Sequence, residues 1–342
     1  MDRLLLRRLA LPLVAVAVLL APSWLGGGTA VYSAAVLIAI LAVMSYGLDV
    51  IVSDLGEVSL GHTVFFAVGA YATALLSTRA GIGSWATLAA SIAMALVFAA
   101  IIGLVTLRLR EFVFSLVTYA VAVVAMSLAA NWAFLGGSDG VRGLPMLDLS
   151  FAGLTLTART DRELWPYAFA LLAITIYLID RFRHSRLGAA AIMTHLNPRL
   201  ATMGGIDPAR VRLQVFLFSA PISAAAGWLY AYQRAYVSAD ILENYFLILM
   251  LTAVVLMGRR QLLGPLAATA LVLVQEKFFS FGGYVDKMVL GSVLVMILAF
   301  CPHGLMGLAR PLGRLFRNRT SAASAPSAPS APSALEPVEI PK

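Results

Sequence analysis

Charge is what this sequence has least of. Only 12% of its 342 residues are Asp, Glu, Lys or Arg, about half the roughly 25% of a soluble globular chain. Hydrophobic residues make up 61% and mean hydropathy is +0.89. Such a chain cannot cover itself with polar side chains, and it reads as a polytopic membrane protein. Cysteine is nearly absent. The one thiol, Cys301, lies in an apolar run and excludes an internal disulfide framework and a Cys-rich metal site. No G-x-x-x-x-G-K-[ST] is present, so the chain hydrolyses no nucleotide through a phosphate loop, and H-E-x-x-H is missing as well. The four histidines, His62, His184, His195 and His303, lack metal-ligand spacing. No catalytic, cofactor or metal site is expected, and the chain reads as a non-enzyme. Acidic residues within apolar stretches, the usual mark of ion coupling, reduce to Asp49 and Glu276, each near a segment end.

What is abundant is apolar sequence in runs long enough to cross a bilayer. Such runs occur near 9–25, 31–52, 84–107, 112–134, 164–180, 211–233 and 286–308. Three more, 60–78, 243–258 and 262–280, are short or punctuated by Gly and Pro. The fold class expected is all-α, a polytopic transmembrane helical bundle of about ten membrane segments, some short or broken. The first run follows a basic stretch that could pass for a signal peptide, but no clean A-x-A site follows, so it is expected to remain as a helix. With a cytoplasmic N-terminus, ten crossings place 18 of the 25 basic residues inside and 7 outside. Dropping any one crossing spoils that segregation, so both termini are expected to be cytoplasmic. The net charge of +8 thus follows topology and lipid headgroups; nucleic acid is not an expected partner.

Three regions stand out: 1–319 reads as one membrane domain with two elaborated loops, and a separate tail follows it. The outside loop 135–163 contains "LGGSDGVRGLP", with Ser138, Asp139, Gly140 and Arg142 in a tightly turned setting, then an alternating stretch like a short hairpin. It is either a cap on the helix ends or a docking surface. The inside loop 181–212 carries a helix-forming stretch from Leu187 to Leu196, a break at Asn197-Pro198, a further turn to Met203, and a stop at Gly204-Gly205 before Ile206 and a cap at Asp207-Pro208. It reads as a rigid cytoplasmic knob, or else as an interfacial helix lying on headgroups. The tail 320–342, with "SAPSAPSAPSA", is a low-complexity extension expected to be disordered.

The segment "GEVSLGHTVFFAVGAY", 56–71, is richer than lipid solvation requires. Gly61 and Gly69 allow backbone or solute to approach closely. An interruption near His62 would be tolerated where it lines an aqueous path. Ser59, Gly61, His62, Phe65, Phe66, Gly69 and Tyr71 are the candidate pathway residues, against the alternative that small residues serve tight helix packing.

These pieces resemble the permease family of branched-chain amino acid ABC importers of the LivM type, which also serves urea and other small solutes. "SLGHTVFFAVGAYATALL" resembles the family's S-L-G-H/Q-x-x-F-x-x-x-G-A-Y segment, and "GGSDGVRGLP" its G-G-T-D-G-x-x-G-I-P loop. "SRLGAAAIMTHLNPRLATMGGI" resembles the stretch that contacts the ATPase, "LLGPLAATAL" the Gly-Pro element and "PHGLMGL" the closing P-x-G-L-x-G. His195-Leu196 departs from a basic-acidic pair, and Arg259-Arg260-Gln261 stands where the family has a Gly-rich turn. The resemblance implies an inner-membrane translocation subunit working with a second homologous permease subunit, two cytoplasmic ATP-binding subunits and a periplasmic solute-binding protein. It also implies that Gly188, Met193, His195, Leu196, Asn197, Met203, Gly204, Gly205 and Ile206 couple to the ATPase. The rival reading is an ATPase-independent channel for a small solute such as urea, which would have no use for the knob.

Overall fold

The computed structural model describes residues 18–24, 26–106, 109, 111–150 and 156–278, with isolated positions between 285 and 296. The expected first segment lies mostly, and the expected last segment and the 320–342 tail lie almost wholly or wholly, outside the described residues, as do Cys301 and His303. The fold is an all-α polytopic bundle. Its helices are α1 (Thr29–Asp49), α2 (His62–Ala80), α3 (Ser84–Thr106), α4 (Glu111–Asn131), α5 (Asp161–Arg183), α6 (Arg186–Leu196), α7 (Pro198–Met203), α8 (Pro208–Arg234), α9 (Asn244–Leu256) and α10 (Gly264–Phe278).

Five of these are long and apolar enough to cross a bilayer: α1 with its continuation to Leu55, α3, α4, α5 and α8. Of the three segments whose span was doubtful, two come out short and α2 does not. α2 has 19 residues, while α9 has 13 and α10 has 15, about 20 and 22 Å at 1.5 Å per residue.

Burial divides the bundle into an inside and a rim. In α1 and α8 83% of the apolar window is covered by protein, in α4 only 22%. α1, α2 and α8 form the centre, with α3 and α5 packed on it and α9 and α10 against α1. The α2–α8 contact is made by missing side chains. A Cβ on Gly69 would overlap the Ala224 carbonyl, and one on Gly227 the Phe66 carbonyl, so the two backbones touch, as in small-residue packing within membranes. The Gly69 carbonyl accepts hydrogen bonds from Thr73 Oγ1 (2.8 Å) and Ser91 Oγ (3.0 Å), tying α3 to the same point.

The connections sort to two ends. At one, Arg212 donates to the Leu109 carbonyl and Arg183 and Arg260 both meet Asp54. At the other, Arg79 donates to the Phe134 carbonyl, Trp85 to the Leu149 carbonyl, and strand β1 (Val141–Arg142) pairs antiparallel with β4 (Tyr236–Val237). A second two-residue pair, β2 (Leu147–Asp148) with β3 (Thr157–Ala158), makes the hairpin that alternation suggested. The first is the knob end, the second the loop end.

Candidate functional site

At the knob end α1 does not simply stop. Its last turns widen into π-helical winding over Val50–Leu55, every residue buried, and close on Gly56 in the left-handed region, φ +77°. The winding has a consequence for charge. In an α-helix positions 49 and 54 would point about 140° apart at 3.6 residues per turn, whereas i→i+5 winding stacks them on one side. Arg183, the last residue of α5, uses that stacking: its Nη2 lies 2.6 Å from Asp49 Oδ2 and its Nε 3.2 Å from Asp54 Oδ2. Ser53 Oγ donates to Asp49 Oδ1 at 2.5 Å. Both carboxylates and the guanidinium are buried. Asp49 is therefore a paired structural acid.

The glycine loop 56–61 follows and is held by α8 and α4. Glu57 pairs with Arg212 at the start of α8, 2.6 Å. Ser115 Oγ of α4 donates to the Val58 carbonyl (2.6 Å), and the Leu60 N–H donates to Thr118 Oγ1 (3.1 Å). Gly61 sits on the Thr118 carbonyl, where a Cβ would come within 2.5 Å. His62 then opens α2 in full burial, its ring edge-on to Phe65 (5.1 Å) and Phe216 (6.0 Å). Neither of its ring nitrogens, nor Ser59 Oγ, has a hydrogen-bond partner among the described residues. Phe65 and Phe66 are buried, Phe66 against Tyr230 and Phe246. Tyr71, five residues further along α2, borders a nearly apolar cavity of about 450 Å³ between α2, α3 and α4.

The knob is built by caps. Ser185 Oγ accepts from the Gly188 N–H (3.1 Å) to start α6, Asn197 Oδ1 from the Arg199 and Leu200 N–H groups (3.1 Å each) to start α7, and Asp207 Oδ1 from the Ala209 N–H (2.9 Å) to start α8. Pro198 and Pro208 occupy the first helical positions, where no N–H is needed. Gly204 and Gly205 end α7, Gly205 at φ +78°, and the Ile206 N–H donates back to the Ala201 carbonyl. Gly188 lets α6 press onto the Phe182 carbonyl. Ala191 and Thr194 are buried beneath it, while Met193, Leu196 (76% exposed), Leu200 and Met203 (86%) point outward. His195 stands apart from that apolar tip. It is surface-exposed, but its ring lies over Gly56, and burial first, then the nearby Arg259 charge, push its pKa down. The knob touches the π turn directly.

At the loop end, Gly136, Gly137, Gly140 and Gly143 all have positive φ. Ser138 and Asp139 are exposed in a 3-10 turn, and Arg142 lies over the Tyr236 ring at 5.4 Å. The letters Gly136 to Gly140 also spell G-x-S-x-G, but Ser138 is not on a strand-to-helix elbow, and His62 and His195 sit toward the knob end. No hydrolase reading follows.

Residues 30–298 match the family model described as branched-chain amino acid transport system / permease component. The chain belongs to that permease family. Relatives bear it out: the high-affinity branched-chain amino acid transport system permease protein LivM of Escherichia coli (strain K12) is 30% identical over 298 residues, 81% of this chain and 70% of its own length. The protein of the same description from Salmonella typhimurium (strain LT2) is 28% identical over 293 residues, 80% of this chain and 69% of its own. No solved structure matches the chain.

The permease thus brings together the π turn, the glycine loop and the knob, and leaves the exposed loop 135–150 at the far end. Sequence reasoning found the knob, the loop and the glycine segment. It missed the cluster of Asp54, Arg183, Glu57, Arg212 and Arg260 that joins them. Its one signal was the presence of two acids five apart at the end of an apolar run.

Proposed function

We propose that the permease is the translocation subunit of an ATP-driven importer in the bacterial inner membrane, carrying branched-chain or similarly hydrophobic amino acids, or another small solute. ATP is hydrolysed by two separate cytoplasmic subunits that seat the knob; a second permease subunit completes the path, and a periplasmic binding protein docks on the loop end around Ser138, Asp139, Gly140 and Arg142. The observation that carries this reading is the knob, an exposed apolar tip of Met193, Leu196, Leu200 and Met203 on a capped, rigid base. A passive channel has no use for it. In this reading Ser59, Gly61, His62, Phe65, Phe66, Gly69 and Tyr71 shape the path. Tyr71 borders a cavity, and Ser59 and His62 are the polar groups a widened passage would expose.

The orientation assigned, knob end in the cytosol and both termini cytoplasmic, rests on the basic residues gathered there, including Arg183, Arg186, Arg199, Arg210, Arg212, Arg259 and Arg260. In a Cys301→Ser background, a membrane-impermeant thiol reagent added to intact cells should label Ser138→Cys and spare Ser185→Cys. The reverse pattern would refute the topology. Nucleotide-dependent uptake by the reconstituted complex supplied with its binding protein, absent when the ATP-binding subunits are omitted, tests the function itself.

A further inference from the structure

Arg260 has a backbone that suits glycine. Its φ is +61°, in the left-handed region that a side chain makes unfavourable. What holds it there is the π turn. The Arg260 N–H donates to Ser53 Oγ (3.2 Å), its Nε lies 3.1 Å from Asp54 Oδ1, and Arg259 Nη2 donates to the Val52 carbonyl at 3.1 Å. Two successive residues of the α9–α10 turn thus grip three successive residues of the π turn. Asp54 is held from the other side by Arg183, and only His184 and Ser185 separate Arg183 from the first residue of α6.

The two grips on Asp54 differ. Arg183 is buried and sits at the end of α5, just before the knob; Arg260 is 41% exposed and belongs to the α9–α10 turn. Water and salt weaken the second pair more than the first. A displacement of the knob transmitted through Arg183 would therefore break the Arg260 pair first.

We propose that Arg260 is a positioning residue, a latch that holds the π turn and the glycine loop behind it closed, and that knob movement opens the loop by pulling Asp54 away from it. The proposal rests on the knob being the coupling element, and it gives the Arg259-Arg260 pair of the α9–α10 turn a role. With the latch open, loop 56–61 keeps, among the described residues, the Glu57–Arg212 pair, the hydrogen bonds from α4 and the His195 ring against Gly56.

The test uses the full chain in native membranes, with Cys301→Ser and a reporter Ser59→Cys at a fully buried position of the loop, and reads the rate of modification by a small impermeant thiol reagent from the knob side. Arg260→Gln, which keeps the backbone demand and loses the charge, should raise that rate about tenfold, and Arg260→Gly should raise it similarly. Arg260→Lys should stay near the parent rate. Raising salt from about 50 to about 500 mM should speed modification of the parent and leave Arg260→Gln unchanged, a comparison that needs no stable variant on the parent side. An unchanged rate in Arg260→Gln, or a parent rate indifferent to salt, overturns the latch. Failure of the ATP-driven reading would look different: Arg260→Gln would still label faster, while omission of the ATP-binding subunits would not change uptake.

Discussion

Uptake by the assembled importer is expected to fall to background when Leu196 or Met203 is replaced by glutamate, with the chain still inserted and folded. The two side chains are 76% and 86% exposed, and exposed substitutions away from special features usually change stability by less than about 0.5 kcal/mol. The cost appears only on docking. Covering an apolar tip contributes about 25 cal/mol per Å², whereas a carboxylate carried into the same cleft must shed its water without a partner, a penalty of several kcal/mol. At about 1.4 kcal/mol per tenfold, a swing of 3 kcal/mol or so weakens docking on the order of a hundredfold. The measurement is ATPase activity of the reconstituted complex with and without loaded binding protein. Stimulation that survives both substitutions, alongside normal uptake, would remove the knob from coupling.

Arg183→Gln should be among the most destabilising single changes in the chain. The substitution leaves the Asp49 and Asp54 carboxylates, both essentially inaccessible to solvent, without their shared cation, and breaking a buried pair in this way costs about 3–5 kcal/mol. Arg210→Gln provides the contrast, because its pair with Asp207 is largely solvated and is worth about 1 kcal/mol or less. Unfolding midpoints in detergent should fall sharply for the first and hardly move for the second. Adding Asp49→Asn to Arg183→Gln should recover part of the loss. Equal midpoints for the two single variants would mean that the cluster does not hold the knob end together.

The knob could be read from sequence because everything that builds it is local. Ser185, Asn197-Pro198 and Asp207-Pro208 act on backbone groups two or three residues away, and such caps leave a signature that needs no knowledge of the fold. The polytopic bundle was legible for a similar reason, since length and apolarity alone define a span. The ion cluster was not. Arg183 lies 134 residues from Asp49 and 129 from Asp54, and Arg260 lies 207 from Ser53, so no window of sequence contains both partners. π winding also defeats pattern reading, because Asp49 and Asp54 share a face only once the helix has left its ordinary period. For Gly61 and Gly69, sequence admitted two uses of a small residue. The structure shows the close approach of Gly61 to the Thr118 carbonyl and of Gly69 to the Ala224 carbonyl, partners far away in the chain.

Gly56 has a genetic consequence. Its left-handed backbone disfavours a side chain, and any Cβ there would overlap the His195 imidazole. Two separate penalties therefore fall on one codon. A saturation library at position 56 should return almost nothing but glycine, and shrinking His195 to alanine should lift only the steric half. The survivors in that second background should be enriched in asparagine, which enters the left-handed region more readily than other residues with side chains. Intragenic suppressors of a Gly56→Asn defect would then map to codon 195, tracing by selection the contact between the knob and the turn it rests on.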